Sequence, residues 1–307
     1  MEGTRPAKRV KRAPTPAEAA LRLQATYRGF RTRCEGLTSR RRAQTEARLA
    51  AAAAATEAAL AARARSPEYR ALARHCPQVD VAKLARVDAD LEALVGLQPL
   101  KEYCASVRRD CLARAALGEA PMVRNVLISG NLGVGKKLAA ATICALLRAL
   151  GVAKGMKPTE TTLESMVLDV RRDLSCVVVD GLGAIEGARG KVDAVLANYP
   201  DHCFIFVGPT AQAEALHGAV THFRKVDCAW LQLPNYTPAE LAQITARQVE
   251  RRGYALADAL GPHDLQAAIS AIWSRDVVAM RNAHLASELV QRAYAAPPRR
   301  RVPTTLT

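Results

Sequence analysis

The sequence predicts an α/β fold in which a parallel sheet with helices on both faces opens with a phosphate-binding loop. A C-terminal helical lid follows this sheet, and a long basic N-terminal helix precedes it. Three observations carry the expectation. The apolar run at residues 126–129 passes into Gly130, Asn131, Leu132, Gly133, Val134, Gly135, Lys136 and Lys137, and then into a segment of helical period. Further apolar runs at 175–180 and 202–208 alternate with helical stretches, as parallel strands joined by crossover helices do. After Pro234 the apolar spacing is helical throughout.

Residues 1–14 are basic and aperiodic, which predicts a disordered tail. Thr15, Pro16 and Glu18 together signal a helix start, with a cap, a proline at the first turn and an acid three residues after the cap. Within that helix Leu23, Tyr27 and Phe30 fall on one face, Gly29 allows close approach, and Arg22, Arg28, Arg31 and Arg33 add positive charge. Such a helix suits an acidic, groove-forming partner. Three arginines at 40–42 lead into an alanine-rich run at 49–64, a strong helix former with little to bury, predicted to be an exposed spacer. A short helix at 68–75 ends at Cys76 and Pro77. A helical pattern then covers 79–117, stopped by Gly118 and Pro121.

Beyond the phosphate loop, a helix extends to about residue 150, a helix-like stretch covers 162–173, and the second strand occupies 175–180. A helix at 191–198, the third strand at 202–208, a helix at 211–216 and a last strand at 230–233 complete the sheet region. The lid is predicted as helices at 238–252, 263–273 and 277–295. The resulting division is 1–14 basic tail, 15–65 basic helix and spacer, 66–121 helical lead-in, 122–234 α/β subdomain, 235–296 lid, and 297–307 basic tail.

Composition sets limits. The net charge of +15 is concentrated at the N-terminus, where residues 1–75 hold 17 Lys+Arg against 6 Asp+Glu, so attraction for acidic partners is expected in that arm. Eight cysteines show no C-x-x-C spacing, which favours reduced thiols over a zinc site or disulfide frame. No apolar stretch has the length of a membrane span, and no secretory leader is visible near Met1. The expected location is cytoplasmic. An organellar transit peptide is the weaker reading, because the Arg-rich terminus lacks serines. With no aromatic stacking platform or reading head, a nucleic-acid role is the weakest of the alternatives.

The loop carries the chemistry. Gly130, Gly133 and Gly135 let backbone N–H groups turn toward an anion, and Lys136 is placed to reach outer phosphates. Lys137 stands where the motif needs a Ser or Thr hydroxyl for Mg²⁺, and a lysine cannot ligate a cation.

A phosphate-loop sheet closed by a helical lid resembles AAA+ ATPases. Within them residues 94–294 look like the CbbX/CfxQ group, which includes red-type Rubisco activases, in LVGLQPLKEY, in LPNYTPAELAQITARQVERRGY and in RDVVAMRN. The resemblance implies roles residue by residue. Lys136 matches the phosphate-binding lysine, Asp180 the metal-coordinating acid, and Arg281 the lid arginine that touches nucleotide phosphates. It also implies absences. Gly181 replaces the catalytic glutamate, Val226 replaces the finger arginine of a run that here reads Phe223, Arg224, Lys225, Val226, and only Thr210 could serve as a polar sensor. The aromatic-Gly pore loop is missing. These departures imply a pseudo-ATPase that holds ATP or ADP without a well-held Mg²⁺, or an empty cradle.

Leu23, Gln24, Arg28, Gly29 and Arg33 match the IQ pattern, with Tyr27 and Phe30 completing its apolar face. Here the chain resembles IQ-motif proteins, which bind calmodulin or related light chains. The domain order resembles IQ-and-AAA-domain proteins of cilia, which implies an adaptor in an axonemal or tubulin-based assembly. A subunit of a mixed AAA+ ring, or a CbbX-like activase, is the alternative.

Overall fold

The computed structural model describes residues 39–120, 122, 124–153, 159–166, 176–182, 185–225, 228–252 and 261–295. The IQ-pattern residues Leu23, Gln24, Tyr27, Arg28, Gly29, Phe30 and Arg33 lie outside them.

The alanine-rich segment forms α1 (Ser39–Ala64). Residues 50–59 are all exposed, as expected of a helix rich in the best helix former and poor in burial surface. Its C-terminal end is tied down by Arg63, which forms a bidentate pair with Glu92 at 2.7 Å. Pro67 at its first turn starts α2 (Pro67–His75), which buries Tyr69 and Leu72. Asp80 caps α3 (Val81–Ala93) by accepting from the Lys83 N–H at 3.0 Å.

The single helical pattern expected over 79–117 is two helices. After α3 the chain turns through Gly96 (φ +61°) and Leu97 (φ +55°) into α4 (Gln98–Ala116). Pro99 in the first turn of α4 is compatible with a helix start but not with continuation of the preceding one. The left-handed conformation at Leu97 is costly for a branched side chain, and complete burial of that side chain under the phosphate loop offsets the cost.

The sheet has the order β2-β3-β4-β1-β5, all parallel, with β1 (Asn125–Ser129), β2 (Thr159–Thr161), β3 (Cys176–Asp180), β4 (Cys203–Gly208) and β5 (Cys228–Gln232). The sequence predicted four strands. The missed β2 is a three-residue polar edge strand with no apolar run to announce it. Strands β1 and β4 are buried along their whole length, which is why their sequences read as continuous apolar runs. Alternation divides them between two cores. Val126, Ile128, Ile205 and Val207 face one core, and Leu127, Phe204 and Phe206 face the other. Helix α5 (Lys136–Ala149) packs in the first core, while α6 (Ile185–Asn198) and α7 (Thr210–Ala219) pack in the second. A short α8 (Thr221–Lys225) follows, started by Asp193, whose carboxylate accepts from the Thr221 and His222 N–H groups.

The lid comprises α9 (Pro238–Arg251), α10 (Pro262–Ile272), α11 (Arg275–Arg281) and α12 (Ala283–Ala295). Thr237 and Glu240 form a reciprocal capping box at the start of α9. The helix expected over 277–295 is broken at Asn282, a buried residue at φ +47°.

Candidate functional site

The site lies at the carboxyl ends of β1 and β3, the end of a parallel sheet where helix N-termini converge. The loop leaves Ser129 through Gly130 (φ +148°), Gly133 (φ +75°) and Gly135 (φ +91°), and α5 begins at Lys136. These angles suit glycine because no Cβ is present to collide with the backbone. Gly133 is further constrained by the lid, since an added Cβ there would meet the Arg281 carbonyl oxygen and the His284 ring.

Lys136 is bent back into the loop. Its ammonium donates to the carbonyl oxygens of Gly130 at 3.0 Å and Asn131 at 2.7 Å. Burial holds its pKa below the ordinary lysine value, and the field of Asp180 opposes this. A half-buried cation whose hydrogen bonds go to neutral carbonyls is poorly compensated, which fits it to an incoming anion.

Lys137 behaves differently. Its ammonium stands 2.7 Å from Asp180 Oδ2, reaching past β4 to the end of β3. The hydrogen bond to Asp180 raises its pKa, with Glu160 on β2 contributing more weakly. The acid expected to hold a metal is therefore paired with the lysine that replaces the metal's hydroxyl ligand. Mg²⁺ requires oxygen ligands in near-octahedral array, and an ammonium supplies none, so the residues present do not fit that ion. Gly181, next along, adopts φ +84° with open space around its α-carbon. No carboxylate stands at this position.

Arg281 ends α11. Its guanidinium lies 2.7 Å from Glu288 on α12, a carboxylate shared with Arg292, and its backbone carbonyl faces Gly133. Asn282 joins the lid to the loop. Its side-chain amide donates to Leu132 O (3.1 Å), Asn235 Oδ1 (3.1 Å) and Ala279 O (2.7 Å), and its Oδ1 accepts from the Tyr236 N–H at 2.9 Å. Asn131 reaches the same hub through Asn235 Oδ1 at 3.0 Å, and the Ala283 N–H donates to the Gly133 carbonyl at 3.2 Å. Sequence reasoning took Arg281 from the MRN run and passed over Asn282. Asparagine's tolerance of positive φ was the available signal. Phe223 is buried at α8, whereas Val226 lies outside the described residues.

Strand order, loop and lid define an α/β phosphate-loop module with a C-terminal helical subdomain. No family model matches the sequence, and no curated protein matches it. Among solved structures the chain is similar to RuvB of Thermotoga maritima, described as a Holliday junction branch migration motor, at 17% identity and TM-score 0.34, over 64% of this chain and 69% of that one. A RuvB mutant is matched at 19% identity and TM-score 0.38, over 66% and 71% of the respective chains. These are remote likenesses in fold. Among the described residues no helix is long and apolar enough to cross a membrane, and no cluster of His, Cys, Asp or Glu suits a metal ion.

Proposed function

We propose that the chain is a non-catalytic, AAA+-like structural adaptor. Its phosphate-loop module serves as architecture, while its N-terminal IQ-pattern helix recruits calmodulin or a related EF-hand light chain. The observation that carries the catalytic half of this reading is the Lys137–Asp180 ion pair at 2.7 Å. It occupies the two positions from which a phosphoryl-transfer enzyme of this plan holds Mg²⁺. Gly181 adds a second obstacle, because general-base assistance contributes about 10²–10⁴ in rate and no carboxylate is there to give it. Metal and transition-state arginine contributions of several kcal/mol each in phosphoryl transfer are the terms such a site forgoes.

The adaptor half rests on the sequence, through Leu23, Gln24, Tyr27, Arg28, Gly29, Phe30 and Arg33, and on the concentration of positive charge in residues 1–75. A tubulin-based, ciliary assembly is the setting this reading favours, given the acidic surface it offers to a basic arm. ATP or ADP is the ligand that Gly130, Gly133, Gly135, Lys136 and Arg281 would take.

Two measurements on the purified chain test the reading. Phosphate release from ATP should remain at background. Release that Lys136→Ala abolishes would overturn the catalytic half. Calmodulin should co-purify without calcium, survive Lys136→Ala, and be lost on Gln24→Ala with Arg28→Ala. Loss with the first variant, or survival with the second, would overturn the adaptor half.

A further inference from the structure

The misfit between this site and Mg²⁺ has a positive side. We propose that the cradle is selective for a metal-free nucleoside polyphosphate, with the Lys137 ammonium acting as a tethered monovalent cation in place of Mg²⁺, so that magnesium weakens nucleotide binding. This rests on the pseudo-ATPase reading above and specifies the ligand form of the same site.

The geometry supplies the reasons. Lys137 is anchored to Asp180 at 2.7 Å, and an ammonium has three N–H groups. One is spent on the carboxylate, and two remain for phosphate oxygens. Lys136 sits one residue earlier with its hydrogen bonds on two carbonyl oxygens, which a phosphate can replace at a gain in charge complementarity. Both lysines thus stand beside a loop whose glycines adopt positive φ, a conformation in which successive N–H groups can turn toward an anion. Free ATP or ADP carries more negative charge than its magnesium complex and leaves its terminal phosphate oxygens bare for these donors. A magnesium complex brings the metal against the ammonium, and its preferred protein ligand, Asp180, is already neutralised. To admit the ion, the Lys137–Asp180 pair must open, and no hydroxyl at position 137 compensates.

The selectivity is a property of one side chain and therefore transferable. Lys137 is 72% exposed, so its replacement disturbs no core. Lys137→Thr frees Asp180 and restores the hydroxyl in a single step. Asp180→Asn removes the metal-binding carboxylate while leaving the loop intact.

Isothermal titration calorimetry of ATP into the full chain, once in EDTA and once in excess magnesium chloride at equal ionic strength, tests this. In the wild-type chain the apparent Kd should weaken by about tenfold when about nine-tenths of the ATP is magnesium-bound, as mass action on the free form requires. In Lys137→Thr the order should reverse, magnesium tightening binding by about tenfold, and Asp180→Asn should show no such tightening. Tighter wild-type binding in magnesium, or a Lys137→Thr chain that responds as the wild type does, would overturn the proposal and leave the pseudo-ATPase reading standing. Absence of ATP heat in both buffers also overturns it, with the cradle then purely structural. Phosphate release in magnesium would instead sink the pseudo-ATPase reading itself.

Discussion

Replacing Asn282 by alanine tests the claim that its buried amide is a main coupling between the lid and the phosphate loop. The side chain is fully buried and engages Leu132 O, Asn235 Oδ1 and Ala279 O as donor and the Tyr236 N–H as acceptor. An amide has two hydrogens, so at most two of the three donations are strong at once. With the acceptance from Tyr236, about three hydrogen bonds are at stake. Alanine leaves the buried Tyr236 N–H without its partner, at about 1–3 kcal/mol, whereas Asn235 Oδ1 and the Ala279 carbonyl keep the Asn131 amide as a donor. Leu132 lies at an exposed loop tip, so water can satisfy its carbonyl, and the expected loss is about 1–3 kcal/mol. The backbone supplies an internal control. At φ +47° and ψ −130° a side chain is strained, so Asn282→Gly loses the same hydrogen bonds but should recover about 1 kcal/mol of strain. Urea unfolding followed by circular dichroism measures both variants. A cost below about 0.5 kcal/mol for alanine, or a glycine variant no more stable than alanine, would refute the hub.

Further outcomes follow from the same geometry. Gly181→Ala should destabilise by about 1 kcal/mol although an added Cβ there meets open space, because the cost is conformational at φ +84°; an unchanged thermal midpoint would show that this turn relaxes. The Asp80 carboxylate is held below its ordinary pKa by the Lys83 side chain and N–H, so its stabilisation is complete above the unfolded value and is lost as pH falls through the folded one. Asp80→Asn should therefore flatten the stability profile below about pH 4 while keeping most of the cap, as paired pH-dependent melts would reveal. Six of the seven described cysteines are buried, and burial pushes Cys104 up to about 12 and Cys111 up to about 11. Iodoacetamide at neutral pH should thus leave both unmodified in the native chain and label them only after unfolding, as peptide mapping would show.

The parts of the fold legible in the sequence were those where local pattern and tertiary role coincide. β1 and β4 are buried on both faces, so apolar runs marked them, and the glycine spacing placed the phosphate loop between β1 and α5. The breaks at Leu97 and Asn282 were signalled only by single residues, Gly96 and Pro99 at the first and the asparagine itself at the second. In both, the apolar period runs on across the interruption, and the turn is imposed by packing and by hydrogen bonds from distant segments. The two halves of the Lys137–Asp180 pair were each singled out, one as a replacement and the other as a survivor. Their partnership required knowing that β4 is the strand between β3 and β1, an arrangement that residue spacing does not encode. The fate of Arg281 was hidden for a similar reason, since its pairing with Glu288 spans the break at Asn282 between α11 and α12.

The left-handed turn at Gly181 makes a glutamate hard to place at this position. Installing glutamate there requires a side chain in a conformation that L-residues adopt at a cost of about 1–2 kcal/mol, before any question of aiming the carboxylate arises. A metal-dependent carboxylate site at this corner would need both a different backbone shape at Gly181 and an opened Lys137–Asp180 pair.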